Sequence, residues 1–305
     1  MSNREQETLV EAAIRVLNTP DPFEKARLGD QIANKWIQGH INLPYHPHKH
    51  LTPPHRPARP SDVKLVSPSL MPKLGKAGSL QSRQALVHSL VHIESWAIDL
   101  SWDIIARFGK QEMMPGEFFT DFVRVAQDEG RHFTLLAARL KELDSFYGAL
   151  PAHDGLWDSA TATSSDLLAR LAIEHCVHEA RGLDVVPTTI SRFRNGGDNE
   201  TAELLEKVIY PEEITHCAAG VRWFKYLCLR SKNPETSNND LVEQASCSTE
   251  NDAEVFGEVI RKFHTVVRSH FRGPLKPPFN EVARRAAGFL PQWYEPLAVK
   301  EVTVE

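Results

Sequence analysis

The chain has 305 residues, 41% of them apolar, enough to bury a full core in one elaborated domain or two small ones. A net charge of −5 and a pI near 6.3 exclude a global field that would draw in nucleic acid or an anionic membrane surface. No segment reaches about 18 uncharged apolar residues, MSNREQETLV has no secretory pattern, and Cys176, Cys217, Cys228 and Cys247 form no C-x-x-C pair, so a cytoplasmic protein with free thiols is expected.

Residues 4 to 38 read as two short helices split at Asn18-Thr19-Pro20-Asp21-Pro22, with Leu9, Ala12, Ala13 and Val16, then Ile32 and Trp36, at helical spacing. They are expected to cap the longer helices further along the chain. From Leu43 to Lys76 the chain is rich in proline and histidine, which forbids regular helix and suits an extended arm. Its His46, His48, His50 and His55 have no carboxylate or cysteine among them, so a solvated loop is the favoured reading over a metal site.

From 79 to 231 the pattern is helical almost throughout. The first helix runs from an N-cap at Ser79 to Phe108, with Gly109 as the stop, and the second from Pro115-Gly116-Glu117 to about Leu143. The third runs from Ser165-Asp166 to Arg194, ended by Asn195-Gly196-Gly197, and the fourth from Asp198 or Asn199 to about Leu229. Four long helices in two hairpins predict an all-α, antiparallel four-helix bundle. Pro187 and Pro211 are expected to kink or break the second pair. Residues 231 to 252, polar and low in aromatics, read as a mobile insertion. A helix from Ala253 to Phe271 and a Pro-rich tail ending in Trp293-Tyr294 are expected to pack back on the bundle. The expected organisation is thus 1–78 for N-terminal helices and arm, 79–231 for the bundle, and 232–305 for insertion, last helix and tail.

Two Glu-x-x-His matches occur, Glu129/His132 and Glu213/His216, but 25 glutamates and 14 histidines in 305 residues give about one by chance. Placement is more informative than count. Glu129 and His132 share a helix face with Phe122, Val125, Ala126, Phe133, Leu136 and Leu140, and Glu94 stands alone among Val87, Leu90, Val91, Ala97, Ile98 and Ile105. A carboxylate buried on such a face costs several kcal/mol unless it is paired or bound to a cation. Each hairpin also places its acids level. Glu94 lies 14 residues before Phe108 and Glu129 13 after Gly116; Glu179 lies 15 before Arg194 and Glu213 15 after Asp198. The halves repeat, because Glu94 to Glu129 spans 35 residues and Glu179 to Glu213 spans 34.

One lone glutamate and one Glu-x-x-His per hairpin, twice over, is the donor pattern by which carboxylate bundles hold two iron or manganese ions. The six expected ligands are Glu94, Glu129, His132, Glu179, Glu213 and His216. Glu174 is the rival for Glu179, but its face carries Arg170 and it is expected to be the more exposed. Glu212 is the rival for Glu213. Asp128 and Glu212, each preceding a ligand glutamate, are expected to accept the free N–H of a histidine on a facing helix. His175 shares the face of Glu179 as a polar neighbour or a packed core residue. Tyr210, three residues before Glu213, reads as core packing more readily than as a radical site.

The pattern resembles the ferritin-like di-iron superfamily, and Asp128-Glu129-Gly130-Arg131-His132 is similar to the D-E-x-R-H box of its bacterial monooxygenase branch. Over most of its length, through HRPARPSDVKLVSPSLMP, EARGLDVVP, IYPEEITH and HFRGPLKPPFN, the chain resembles the ferritin-like family known as domain of unknown function 455, itself similar to tRNA-modifying di-iron hydroxylases. What the resemblance implies is the fold and the six ligands, not a substrate.

Oxygen donors with two imidazoles suit iron, or alternatively manganese, better than zinc. The leading expectation is an oxygen-activating, hydroxylase-like oxidoreductase, in which Glu129 and Glu213 bridge two ions while Glu94 and Glu179 cap one each. Its substrate would be a small molecule or nucleoside, with an electron-donor protein as partner, and with no membrane and no strong nucleic-acid signal. Iron oxidation or peroxide handling, and a metal-stabilised scaffold without activity, are the alternatives. The arms at 43–76 and 272–298 are expected to shape the access channel.

Overall fold

The computed structural model describes residues 6–246 and 253–298. Cys247 and the end of the expected mobile insertion lie outside these. The protein is all-α: among the described residues the only β pairing is one bridge between Leu65 and Ala152. The chain divides into two compact units, the first comprising Met1–Thr161 and Ile190–Leu204, the second Ala162–Thr189 and Leu205–Glu305.

In the first unit, α1 (Leu9–Leu17) starts from a reciprocal capping box between Thr8 and Glu11, and α2 (Pro22–Ile37) from Asp21, whose carboxylate accepts from the Phe23 and Glu24 amides. Side chains thereby take up first-turn N–H groups that have no partner within the helix, which helps two such short helices hold. After the arm come α3 (Leu80–Phe108), capped by Ser79, and α4 (Gly116–Glu142), matching the expected boundaries to within a residue or two. These two pack along each other; α1 lies on α3 and α2 on α4. The N-terminal helices are therefore laid along the α3–α4 hairpin. That placement explains why α3 is buried on most of its circumference, Trp96 and Trp102 included.

The arm has no regular helix beyond the single turn Pro68–Leu70, as its prolines dictate. His48, His50 and His55 are exposed, and His46 is within 3.2 Å of the Gln6 carbonyl. Arg59, further along, is fixed from both sides. Its guanidinium donates to Asp99 and to the Ser95 carbonyl, each at 2.9 Å, and lies 3.9 Å from the centre of the Trp96 ring. Trp96 in turn stacks on Trp157 of α5 (Gly155–Ala162).

In the second unit, α6 (Leu167–Ala172) begins at Asp166 and runs into a π-helical segment, Ile173–His178, and then α7 (Glu179–Asn195), whose residues from Ile190 on belong to the first unit, as does the short helix that follows. Gly197, at φ 82°, supplies the left-handed residue that ends α7. Asp198 then caps α8 (Asn199–Leu204), accepting from the Thr201 amide at 3.0 Å. A second π segment, Leu205–Ile209, leads to α9 (Tyr210–Lys232).

The prolines do not break these helices. Pro187 lies inside α7, and the carbonyl it strands four residues earlier, that of Leu183, accepts from Asn280 Nδ2 at 3.0 Å. Pro211 directly follows the second π segment, and the backbone stays helical on both sides of it.

The expected mobile insertion is corrected for residues 238–246. They form α10 (Asn238–Ser246), which buries Leu241, Val242 and Ala245 against α9. Leu241, Val242 and Ala245 are one apolar stripe at i, i+1, i+4, a signal too short to stand out in a polar run.

Next is α11 (Ala253–His270), followed by α12 (Glu281–Ala286) on α9 and the single turn α13 (Pro291–Tyr294) on α11. Trp293 locks the tail down among Phe224, Phe263 and Phe289.

Candidate metal centre

In the first unit α3 delivers Glu94 and α4 delivers Glu129 and His132. One donor atom from each lies within 4.8 Å of the others. All three are buried, with His132 fully inaccessible. His132 Nδ1 stands 3.5 Å from Glu129 Oε2 and 3.7 Å from Glu94 Oε2. Those separations exceed a good N–H···O hydrogen bond. They fit donors sharing one ion: atoms about 2.1 Å from a metal lie about 3 Å apart in adjacent positions and about 4.2 Å apart across it.

Burial pushes the Glu94 carboxyl well above the usual carboxylate range, the Glu129 charge adds to that, and His132 offsets part of it. Two acids and an imidazole on an apolar face are thus costly without a positive charge between them.

The second unit repeats the set. Glu179 opens α7 directly after the π segment, and α9 carries Glu213 and His216. Their donor atoms again converge within 4.8 Å. His216 Nδ1 is 4.0 Å from Glu213 Oε2. Glu213 and His216 lie at or near full burial and Glu179 is half-buried. Gly182, one turn past Glu179, faces the Glu213 carboxylate at van der Waals distance from where a Cβ would stand.

Cys217, next to His216, is fully buried, and burial followed by the charge of Glu179 holds its thiol protonated far above the ordinary range. The donor atoms that converge in this triad are oxygen and nitrogen. Two carboxylates and one imidazole per triad fit iron or manganese in composition and charge.

The neighbouring residues named from the sequence divide between the outer surface and the interior. Asp128 pairs with Arg131 at 2.5 Å on the outer side of α4. Glu212 is half-buried and His175 is buried. Tyr210 is tied through its hydroxyl to Asn280 Nδ2 at 2.6 Å.

Glu174 is a correction. Its sequence neighbours predict exposure because Arg170 shares its face, yet Arg170 is itself buried, with its Nε donating to Thr163 at 3.0 Å, and Glu174 is 1% exposed. A buried arginine makes a polar face look like a solvent face.

Behind Glu94 lies a polar network that no spacing announced. His92 Nε2 donates to the His153 carbonyl at 2.9 Å, which leaves Nδ1 to accept from the Tyr147 hydroxyl at 2.9 Å. Arg59 donates to Tyr147 at 3.1 Å and to Ser95 Oγ at 2.8 Å, and Asp99 binds both Arg59 and the buried Lys25. The network clamps α3 on the side of Ser95 and Asp99, so the helix that carries Glu94 is held by the arm, α2 and the segment after α4.

Fold and site together define an all-α protein with two carboxylate–histidine triads, the first buried and the second partly so. The chain belongs to the family described as Protein of unknown function (DUF455), whose sequence profile matches residues 18–295. It is 31% identical over 278 residues to an uncharacterized protein of Haemophilus influenzae, covering 90% of this chain and 88% of that relative. No solved structure matches. Among the described residues no helix is long and apolar enough to cross a membrane.

Proposed function

We propose that each triad holds one iron or manganese ion and that the pair serves an oxygen-activating oxidoreductase of hydroxylase type. The observation that carries this is the duplicated set, Glu94/Glu129/His132 and Glu179/Glu213/His216, each bringing two carboxylates and an imidazole together largely out of water, where a shared cation offsets their burial. The repeat in the sequence between the two hairpins favours a matched pair of ions over two unrelated sites, as does the resemblance to ferritin-like di-iron proteins.

When bound, a pair of such ions supplies reversible one-electron steps to dioxygen. The chain's own residues then have separable tasks. The four carboxylates neutralise the ions, and the two imidazoles complete each donor set without adding charge. Phe122, Val125, Phe133 and Leu136 on α4, with Val91 and Ile98 on α3, keep the first triad dry. The Arg59–Asp99–Lys25 clamp and the Asn280 bond to Leu183 hold α3 and α7 in place, so that Glu94 and Glu179 present their carboxylates from rigid elements.

Hydroxylation of a small-molecule or nucleoside-type substrate, with one oxygen atom going to product and one to water, draws two electrons from a donor protein. Aerobic reconstitution with ferrous iron tests this reading. Two irons per chain and no mineral growth are expected; a fully folded protein that takes up no metal would refute it.

A further inference from the structure

Glu174 is a buried acid in the second unit's ligand region that the paired motifs leave out. Its side chain is 1% exposed, and neither carboxylate oxygen has a hydrogen-bond partner among the described residues. His178 Nε2 lies 4.0 Å from Glu174 Oε2, beyond hydrogen-bonding distance. A carboxylate in that state is held at a cost of several kcal/mol, and proteins retain such groups where a cation arrives.

The backbone turns it toward the ligand side. In an α-helix residues five apart point about 140° from one another. In a π-helix, with i→i+5 hydrogen bonding and about 4.4 residues per turn, the same two residues point only about 50° apart. The stretch Ile173–His178 is π-helical and Glu179 follows at once, so the wide turn rotates Glu174 onto the side of Glu179.

The turn is also pressed against the other ligand helix. A Cβ at Gly220 of α9 would collide with the His175 carbonyl, and Gly220 stands one turn beyond His216 and two beyond Glu213. Only glycine lets α9 approach the π segment this closely.

We propose that Glu174 is an additional metal-binding carboxylate of the second triad, one that joins Glu179, Glu213 and His216 when an ion is present. This rests on the metal reading above. Glu174 stands outside the set of donor atoms already converging there. On this reading a change of its side-chain torsions on metal binding brings Glu174 in as a further oxygen ligand to a hard divalent ion.

The test compares wild type, Glu174→Gln and Glu174→Met by calorimetric titration with Mn²⁺ and, without oxygen, Fe²⁺, alongside the thermal midpoint of each metal-free protein. Methionine matches the length of glutamate without its oxygens, so it carries the test if the amide of glutamine disturbs folding.

Both variants are expected to bind one of the two ions at least about tenfold more weakly. Metal-free Glu174→Met is expected to melt above metal-free wild type, because a costly buried carboxyl has gone. Equal affinity and stoichiometry in all three proteins would overturn this inference alone. No uptake by wild type would overturn the metal reading and this inference with it.

Discussion

Removing Glu129 and His132 together separates the stability of the fold from the stability lent by metal. The truncations leave two cavities on the buried face of α4, yet they also delete a carboxylate and an imidazole from a place where each costs about 1–3 kcal/mol to bury without full compensation. The opposing effects leave the metal-free Glu129→Ala/His132→Ala protein within about 2 kcal/mol of metal-free wild type.

Metal adds a much larger difference. An ion held only by the folded state at a free concentration of about 1,000 times its Kd stabilises by about 4 kcal/mol. Urea denaturation with and without Mn²⁺ therefore gives wild type a gain of that order from its first triad that the double variant lacks. If the variant gained as much as wild type, the first triad would not be a metal site.

Three further outcomes are expected from residues around the site. Burial lowers the His88 pKa from 6.5 to about 4, and its Nε2 accepts from the Gly148 amide at 3.1 Å, a bond only the neutral ring can make. The folded pKa is the depressed one, so the stabilisation is complete above about pH 6.5 and up to about 3 kcal/mol of it is lost as pH falls toward 4. A ring NMR titration placing His88 near 6.5 would contradict this. Asp99→Ala strands the buried Lys25 and Arg59 charges and is expected to cost about 3–5 kcal/mol in chemical denaturation, whereas loss of a mere surface pair would cost under about 1. Gly220→Ala drives a methyl into the His175 carbonyl and is expected to cost about 3 kcal/mol, despite alanine's better helix propensity. A neutral or stabilising result by the same assay would show that α9 does not approach the π segment closely.

The ends of α3 and α4 are legible in the sequence because Ser79, Gly109 and Pro115 are strong local punctuation, and the level spacing of Glu94 and Glu129 comes from helix rise alone. The second unit is harder to read. Two π segments add a partial turn that periodicity at 3.6 residues does not register, and a rescue such as Asn280 for the carbonyl stranded by Pro187 comes from nearly a hundred residues away. Glu174 misleads for a related reason: its exposure is inferred from Arg170, and a buried arginine looks the same in sequence as a solvated one. Helix α10 is hidden because its apolar stripe is only three residues, while the Arg59–Tyr147–His92 network joins an irregular arm to a loop, where no repeat exists to reveal it.

The metal content of purified protein after aerobic ferrous reconstitution and removal of loosely held ions tests the two-ion centre most directly. Two irons per chain are expected, with fewer in the Glu129→Ala/His132→Ala variant. A folded protein that retains no iron, and no manganese when that ion is offered instead, would contradict the assignment of both triads.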